Sequence, residues 1–335
     1  MGRALGPRHQ HVTAPSAPRK AQTFTVSTGG SARACVRHVS YIVRNSFSRS
    51  TQLLELPSFP QRHVLLRCCG TTFYSDLLRP SQMAHLPTHR RSPKGGRPRI
   101  NDRAALTGIL FVLRTGIPWE CLPRELGCGS GMTCWRRLHE WMQSGVWQSV
   151  HEAVLRRLRE YDQIMWDRAC IDAAGVPAPA GGEHTGRNPT DRGKLGCKHH
   201  LPVDQRGLPL VTQITGAQVH DSRLLIPLVE SIPAVKELSG RARKRPGKLH
   251  ADRAYASRVH PAWLHRRGIS ARIARYGVES RERLGRWRWV VERTLGWIHR
   301  FRRLRIRYER RADIHQAFLS LACSLICWRY VQRFC

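Results

Sequence analysis

Acidic residues are scarce in this chain. Its 335 residues hold 23 Asp and Glu against 57 Lys and Arg, a formal net charge of +34. No carboxylate side chain occurs before Glu55. That imbalance predicts strong, salt-dependent attraction to polyanions. Long apolar runs are also missing. The most apolar stretch, residues 317–328, is shorter than a bilayer span and contains Ser320 and Ser324, so no membrane partner is expected. No Cys-x-x-Cys pair occurs among the 11 cysteines, which argues against a structural zinc site. Most cysteines lie in apolar segments, as reduced thiols of a cytoplasmic protein do. Cys197, His199 and His200 cluster, but with no second ligand pair they read as strand residues.

What is present suffices for a folded protein. Hydrophobic residues make up 41% of the chain, and its length leaves room for about two domains. Residues 1–90 form a basic N-terminal extension of weak periodicity, expected to be disordered. Its Arg- and Ser-rich composition also resembles an organellar transit peptide, and Met83 offers an alternative start. Residues 91–100 form a basic linker, in which Arg97 and Arg99 resemble arms that lie in a DNA minor groove. Residues 96–160 form a predicted helical domain. Asp102 can cap a helix with Leu106, Ile109, Leu110 and Leu113 on its apolar face, stopped at Gly116 and Pro118. A short helix over 119–126 and a glycine-rich turn follow. Thr133 then opens a helix with Trp135, Leu138, Trp141 and Met142 on one face and Arg136, Arg137 and His139 on the other. This is a helix-turn-helix-like layout, with cations on the last helix offered to DNA. The same pattern fits an ordinary helical bundle with a solvated basic face.

Residues 165–335 alternate between strand and helix. Strands are predicted over 165–176, 197–203, 208–215, 248–251 and 269–273, with a hairpin turn at 204–207. Helices are predicted from Asp221, from Ser257, over 286–303 and over 313–334. Three antiparallel strands, then helix, strand, helix, strand and closing helices, make an α/β fold. It is the element order of a ribonuclease-H-like mixed sheet flanked by helices, here preceded by the small all-α domain. Three carboxylates stand in apolar or small-residue settings: Asp172 on the first strand, Asp252 at the end of the fourth, and Glu292 on the helix after the fifth. A carboxylate at the end of a buried strand needs a positive partner. Two aspartates from neighbouring strands and a glutamate from a crossing helix supply hard oxygen ligands for Mg²⁺, and a pair of such ions can run an in-line displacement at phosphorus. Simpler readings exist: Glu292 as the partner of Arg288 at i,i+4, and Asp252 as a turn residue. All three acids in this order favour metal-dependent chemistry on nucleic acid. The arginines between Arg281 and Arg311 are expected to face a phosphate backbone, while Trp287, Trp289 and Trp297 are mostly packing residues.

Several segments together resemble a known family. They are residues 96–119, which open Gly-Arg-Pro-Arg-Ile-Asn-Asp-Arg and close Thr-Gly-Ile-Pro-Trp, then Asn188-Pro-Thr-Asp-Arg-Gly-Lys, Lys198-His-His-Leu, Val219-His-Asp-Ser, His250-Ala-Asp-Arg-Ala-Tyr and Trp289-Val-Val-Glu-Arg-Thr-Leu. Across about 70% of the chain the set resembles the IS5 family of bacterial insertion-sequence transposases, within the IS4-like group of DDE transposases. The resemblance implies a ribonuclease-H-like catalytic domain with Asp172, Asp252 and Glu292 as catalytic and metal-binding triad. It implies Mg²⁺ as cofactor, as a pair of ions that Mn²⁺ can replace. It implies double-stranded DNA as partner, both terminal inverted repeats and target, and a homodimer or higher oligomer in the synaptic complex. The implied place of action is the nucleoid of a bacterial cytoplasm. With the basic positions above, the expected DNA contacts are Arg97, Arg99, Arg136, Arg137, Lys198, Arg288, Arg293, His299 and Arg300. Arg288 fits the group's arginine before the glutamate. Gly285 and His299 stand where the group has tyrosine and lysine. Two other readings are a nuclease of the same fold without strand transfer, and a helix-turn-helix regulator or inactive remnant whose α/β half is a scaffold.

Overall fold

Asn101 opens the first helix, α1 (Asp102–Thr115), by accepting the N–H of Arg103 at 2.8 Å. Asp102, expected as the cap, instead pairs with Arg137 at 2.6 Å. The structure is a computed structural model that describes residues 98–236, 240, 242–274 and 281–335. The expectations for residues 1–90 and for Arg97 lie outside these residues. α1 ends at Gly116, whose positive φ of 73° lets its N–H return to the Val112 carbonyl, a conformation that suits glycine. Residues 119–126 do not make one helix. Pro123, which lacks a backbone N–H, separates two 3₁₀ turns, Trp119–Cys121 and Arg124–Leu126. α2 (Gly131–Gln143) is capped by Ser130, which accepts the Thr133 N–H at 3.2 Å. A Cβ at Gly131 would sit 1.7 Å from the Trp119 carbonyl oxygen, so glycine is what lets α2 begin against the preceding turn. α3 (Val146–Glu160) completes the helical part.

The strands are β1 (Arg168–Pro177), β2 (Gly186–Arg187), β3 (Leu195–Asp204), β4 (Gln213–Gly216), β5 (Val235–Lys236), β6 (Ala242–Arg243), β7 (Lys248–Ala251) and β8 (Ser270–Ile273). The main sheet is mixed, ordered β2-β3-β1-β7-β8, with β4 also on β3. β1 is antiparallel to β3 and parallel to β7, which is parallel to β8. The remaining helices are α4 (Leu225–Ser231), α5 (Val259–Arg266), α6 (Arg281–Ile298) and α7 (Ala312–Phe334). The α/β order expected from the sequence is present, with local differences. The third strand begins at 213 rather than 208, and Pro209 makes only an isolated bridge to Val203. The helix expected from Asp221 starts as a 3₁₀ turn, Asp221–Leu224, capped by His220. Two short strands fall between the expected elements: β2 pairs with β3, and β6 with β5.

Alternation along the strands decides which face each side chain meets. Ala169 and Ile171 of β1 and Leu249 and Ala251 of β7 pack with Leu225, Leu228 and Leu264 of α4 and α5. The intervening Cys170 points the other way and donates to the Trp287 carbonyl on α6. The His250 ring also faces Trp287, centroids 6.4 Å apart. By the same period Asp172 and Asp252 fall on the α6 face. That face shares one apolar interior with the helical part, in which Leu110, Trp141 and Leu155 meet Leu201, Val291 and Phe318. Cys128, Cys134, Cys170, Cys197, Cys323 and Cys327 are buried free thiols, as expected. Cys121 departs from that expectation and is disulfide-bonded. Among the described residues no helix is long and apolar enough to cross a membrane.

Candidate active site

Strand register brings the two aspartates together. Ile171 of β1 is level with Ala251 of parallel β7, so the next residues, Asp172 and Asp252, leave neighbouring strands side by side. β7 ends where Asp252 turns the chain: its Oδ1 accepts the Ala254 N–H at 2.7 Å and opens a 3₁₀ turn, Arg253–Tyr255. The turn reading and the site reading of Asp252 therefore coexist, one oxygen serving each. α6 buries Val290, Val291, Leu295 and Ile298, which carries Arg288 to the sheet. Arg288 Nη2 donates to Asp172 Oδ2 at 3.1 Å and stands 4.0 Å from Asp252 Oδ2 and 3.9 Å from Glu292 Oε1. One guanidinium nitrogen thus gathers all three acids. The pairing of Glu292 with Arg288 is present, but Arg288 is not a surface residue: its side chain is 16% exposed, that of Glu292 61%.

Burial pushes the Asp172 carboxyl up to about 6; Arg288 and the Ala173 N–H oppose the rise and Asp252 adds to it. A carboxylate in that condition is short of positive charge even with Arg288 beside it. The donors are all carboxylate oxygen, the hard type that suits Mg²⁺ or Mn²⁺. Asp172, Asp252 and Glu292 are the residues that would hold such ions. They ring Arg288 rather than closing on one another. Among the described residues, the one group of three potential metal-binding side chains with ligand atoms within 4.8 Å is Cys197, His199 and His315. Two neighbours were not singled out from the sequence. Tyr255 is buried, its hydroxyl has no hydrogen-bond partner, and burial with the charges of Asp221, Asp172 and Asp252 pushes its phenol up. Asp221 accepts from Lys198 Nζ at 2.8 Å. The available signal was their position: each lies in a segment that carries the family resemblance.

Comparisons with known proteins give the family. Residues 167–327 match a family described as a transposase DDE domain, and residues 82–151 match one described as a proposed transposase of the IS4/5 family. The chain is 52% identical over 149 residues to the proposed transposase for insertion sequence element IS402 of Burkholderia cepacia, covering 44% of this chain and 71% of that protein. It is 50% identical over 103 residues to an uncharacterized 16.2 kDa protein of insertion element IS402 from the same organism, covering 31% and 70%. It is 36% identical over 94 residues to the uncharacterized protein y4sN of Sinorhizobium fredii (strain NBRC 101917 / NGR234), covering 27% and 73%. The chain belongs to the IS4/5-like DDE transposases. It is an insertion-sequence transposase, an enzyme whose domain class acts on DNA and depends on a divalent metal.

In this transposase the other expected DNA contacts are dispersed. Arg136 and Arg300 are exposed, and exposed Arg99 pairs with Glu140 of α2. Arg137 was expected on an exposed face and is buried: it pairs with Asp102 and donates to the Ile100 carbonyl at 3.3 Å, because this side of α2 packs on the start of α1. Lys198 Nζ is held by Asp221 and by the Val219 carbonyl at 2.9 Å. Arg293 lies between Trp289 and Trp297, 4.6 and 4.5 Å from their ring centroids, and donates to the Arg206 carbonyl. His299 turns inward, its ring 5.7 Å from that of His199, and burial lowers its pKa. Of the arginines between 281 and 311, Arg303 and Arg307 do not face a backbone phosphate. Both are buried. Arg303 pairs with Glu309 at 2.6 Å, and Arg307 donates to the carbonyls of Glu309 and His184 at 2.8 and 3.1 Å. A buried guanidinium needs such partners, and these two arginines spend their donors tying chain segments together.

Proposed function

We propose that this transposase binds the terminal inverted repeats of its own element, cleaves there with a pair of Mg²⁺ ions that Mn²⁺ can replace, and joins the freed 3′ ends to target DNA. It works as a homodimer or higher oligomer that holds two ends. The helical part over 96–160 grips DNA and residues 165–335 carry the chemistry. The observation behind this reading is the convergence of Asp172, Asp252 and Glu292 on one cationic nitrogen. Asp172, Asp252 and Glu292 would hold the ions, whose chemistry would be activation of the attacking oxygen and stabilisation of the leaving oxygen. The chain's own groups do the rest. Exposed Arg136 and Arg300 hold the DNA backbone by charge. Arg288 compensates the acids in the metal-free protein; with ions held there, its guanidinium would be available to a phosphate beside the site. In cleavage, a water oxygen bonds to phosphorus and the bond to the 3′ oxygen breaks, that oxygen taking a proton. In joining, the resulting 3′ hydroxyl attacks a target phosphodiester and displaces its 3′ oxygen.

The test mixes the protein, MgCl₂, a duplex carrying the element's end, and target DNA. Joined products are expected. Cleavage without joining would replace this reading with a nuclease. Binding with no product, unchanged by Asp252→Asn, would replace it with a regulator.

A further inference from the structure

Cys197 and His199 stand two residues apart on β3, so their side chains share a face. That face meets the first turn of α7, where His315 lies. All three residues are fully buried, and Sγ and one nitrogen of each ring lie within 4.8 Å of one another. His199 Nε2 and His315 Nε2 are 2.9 Å apart. Behind His315, its Nδ1 faces Glu309 Oε2 at 3.5 Å, and Glu309 is fixed by Arg303. His199 Nδ1 and His299 Nε2 are buried with no hydrogen-bond partner. An imidazole pair that shares one proton leaves these two nitrogens, in contact with the same cluster, without a partner.

We propose that Cys197, His199 and His315 bind a transition-metal ion of the zinc class, with the His299 ring beside His199. Thiolate and neutral imidazole are borderline-soft donors that prefer zinc over Mg²⁺, so the site differs in chemistry from the all-carboxylate triad. A carboxylate behind a ligating imidazole is a common second contact that fixes its orientation, and Glu309 stands there. The guanidinium of Arg307 is close and opposes a dication; it donates to backbone carbonyls and also to Cys197, where it favours the thiolate against the burial that raises that thiol's pKa. The Cys197 thiolate, formed on binding as its proton leaves to solvent, offsets the ion's charge. The bound ion is a clasp. It joins β3, neighbour of the Asp172 strand, to α7. Through Glu309 and Arg303, whose Nη1 donates to the Ile117 carbonyl at 3.0 Å, it also reaches the end of α1.

The test uses the full chain, produced in zinc-supplemented cells and dialysed without chelator. Elemental analysis should find about one zinc per chain. Exchange into Co²⁺ should give a thiolate-to-cobalt charge-transfer band. Cys197→Ser and His315→Ala should each weaken zinc retention roughly tenfold or more, whereas Asp172→Asn, which alters the carboxylate site, should retain it. A wild-type protein that keeps no zinc and shows no cobalt–thiolate band overturns the proposal and leaves a hydrogen-bonded imidazole pair. Undiminished zinc in both variants overturns it equally. The wild-type measurements stand even if a variant fails to fold.

Discussion

Three carboxylates near one another repel, and at Asp172 that repulsion adds to burial in raising the carboxyl's pKa. Arg288 is the counterweight in the metal-free protein, with its Nη2 within 4.0 Å of all three acids. Arg288→Ala should lower metal-free stability by about 2 kcal/mol, between the values for surface and buried pairs. It should also enlarge the gain in Tm that MgCl₂ produces, since the ions then answer an uncompensated charge. Arg288→Lys, which keeps charge but not the planar fork, should fall between. Thermal unfolding with and without MgCl₂ measures this, and an Mg²⁺ gain equal to wild type in Arg288→Ala would remove Arg288 as the stand-in cation. The acids themselves should separate chemistry from binding. Asp172→Asn, Asp252→Asn and Glu292→Gln should each reduce cleavage by about a thousandfold or more, the loss of several kcal/mol of transition-state stabilisation, while gel-shift affinity for end DNA stays near wild type. A variant that cleaves normally removes its residue from the triad.

At the scale of elements, the turn between β3 and β4 shows how local chemistry holds the sheet. Asp204 is buried and accepts three backbone N–H groups: Met165 at 2.9 Å, Arg206 at 2.9 Å and Leu208 at 2.8 Å. Asp204→Ala leaves those donors without partners and should cost about 3 kcal/mol. Asp204→Asn keeps an acceptor oxygen and should cost less. The urea midpoint of each variant checks the order. The turn itself was legible in Asp204-Gln-Arg-Gly207, but its reach back to Met165, at the entrance of β1, was not, because a turn motif carries no record of what folds over it. The same limit runs through the molecule. Asp172, Asp252 and Glu292 could be picked out because acids are scarce and strand order set them on adjacent elements. The inward positions of Arg137, Arg303 and Arg307 could not, since an arginine reads as solvated until a distant carboxylate or carbonyl is placed beside it. Asp102 stands 35 positions before Arg137 in the sequence. His315 lies 116 positions beyond His199, so ligand spacing gave no sign of their meeting. The caps of α1 and α2 slipped by one and three residues because Asn101 and Ser130 stand near equally good caps, Asp102 and Thr133.

Across the whole molecule, a chain of formal charge +34 repels itself, and protonating histidines adds to that charge. Several are held neutral. His151 on α3 is buried, its Nε2 2.9 Å from the Pro209 carbonyl. His200 on β3 has its Nε2 2.7 Å from Thr215 Oγ1. Burial lowers each to about 4. The unfolded chain takes up these protons as pH falls through about 6.5, whereas the folded chain takes them up only near 4. The stability they contribute is therefore fully present above about pH 6.5 and is lost as pH falls through about 4. His199 and His315 are displaced in the same direction. These rings lie in both the helical part and the sheet, which share one interior, so acid should unfold both together. Urea midpoints of the metal-free protein, measured from pH 7.5 to about pH 4, should fall steadily through this window. His151→Gln, whose amide can still donate to the Pro209 carbonyl, should flatten the slope by about one proton. A wild-type profile level across the window would show that these rings are already charged in the folded state. A slope unchanged in His151→Gln would show that His151 is not among the groups that take up protons on unfolding.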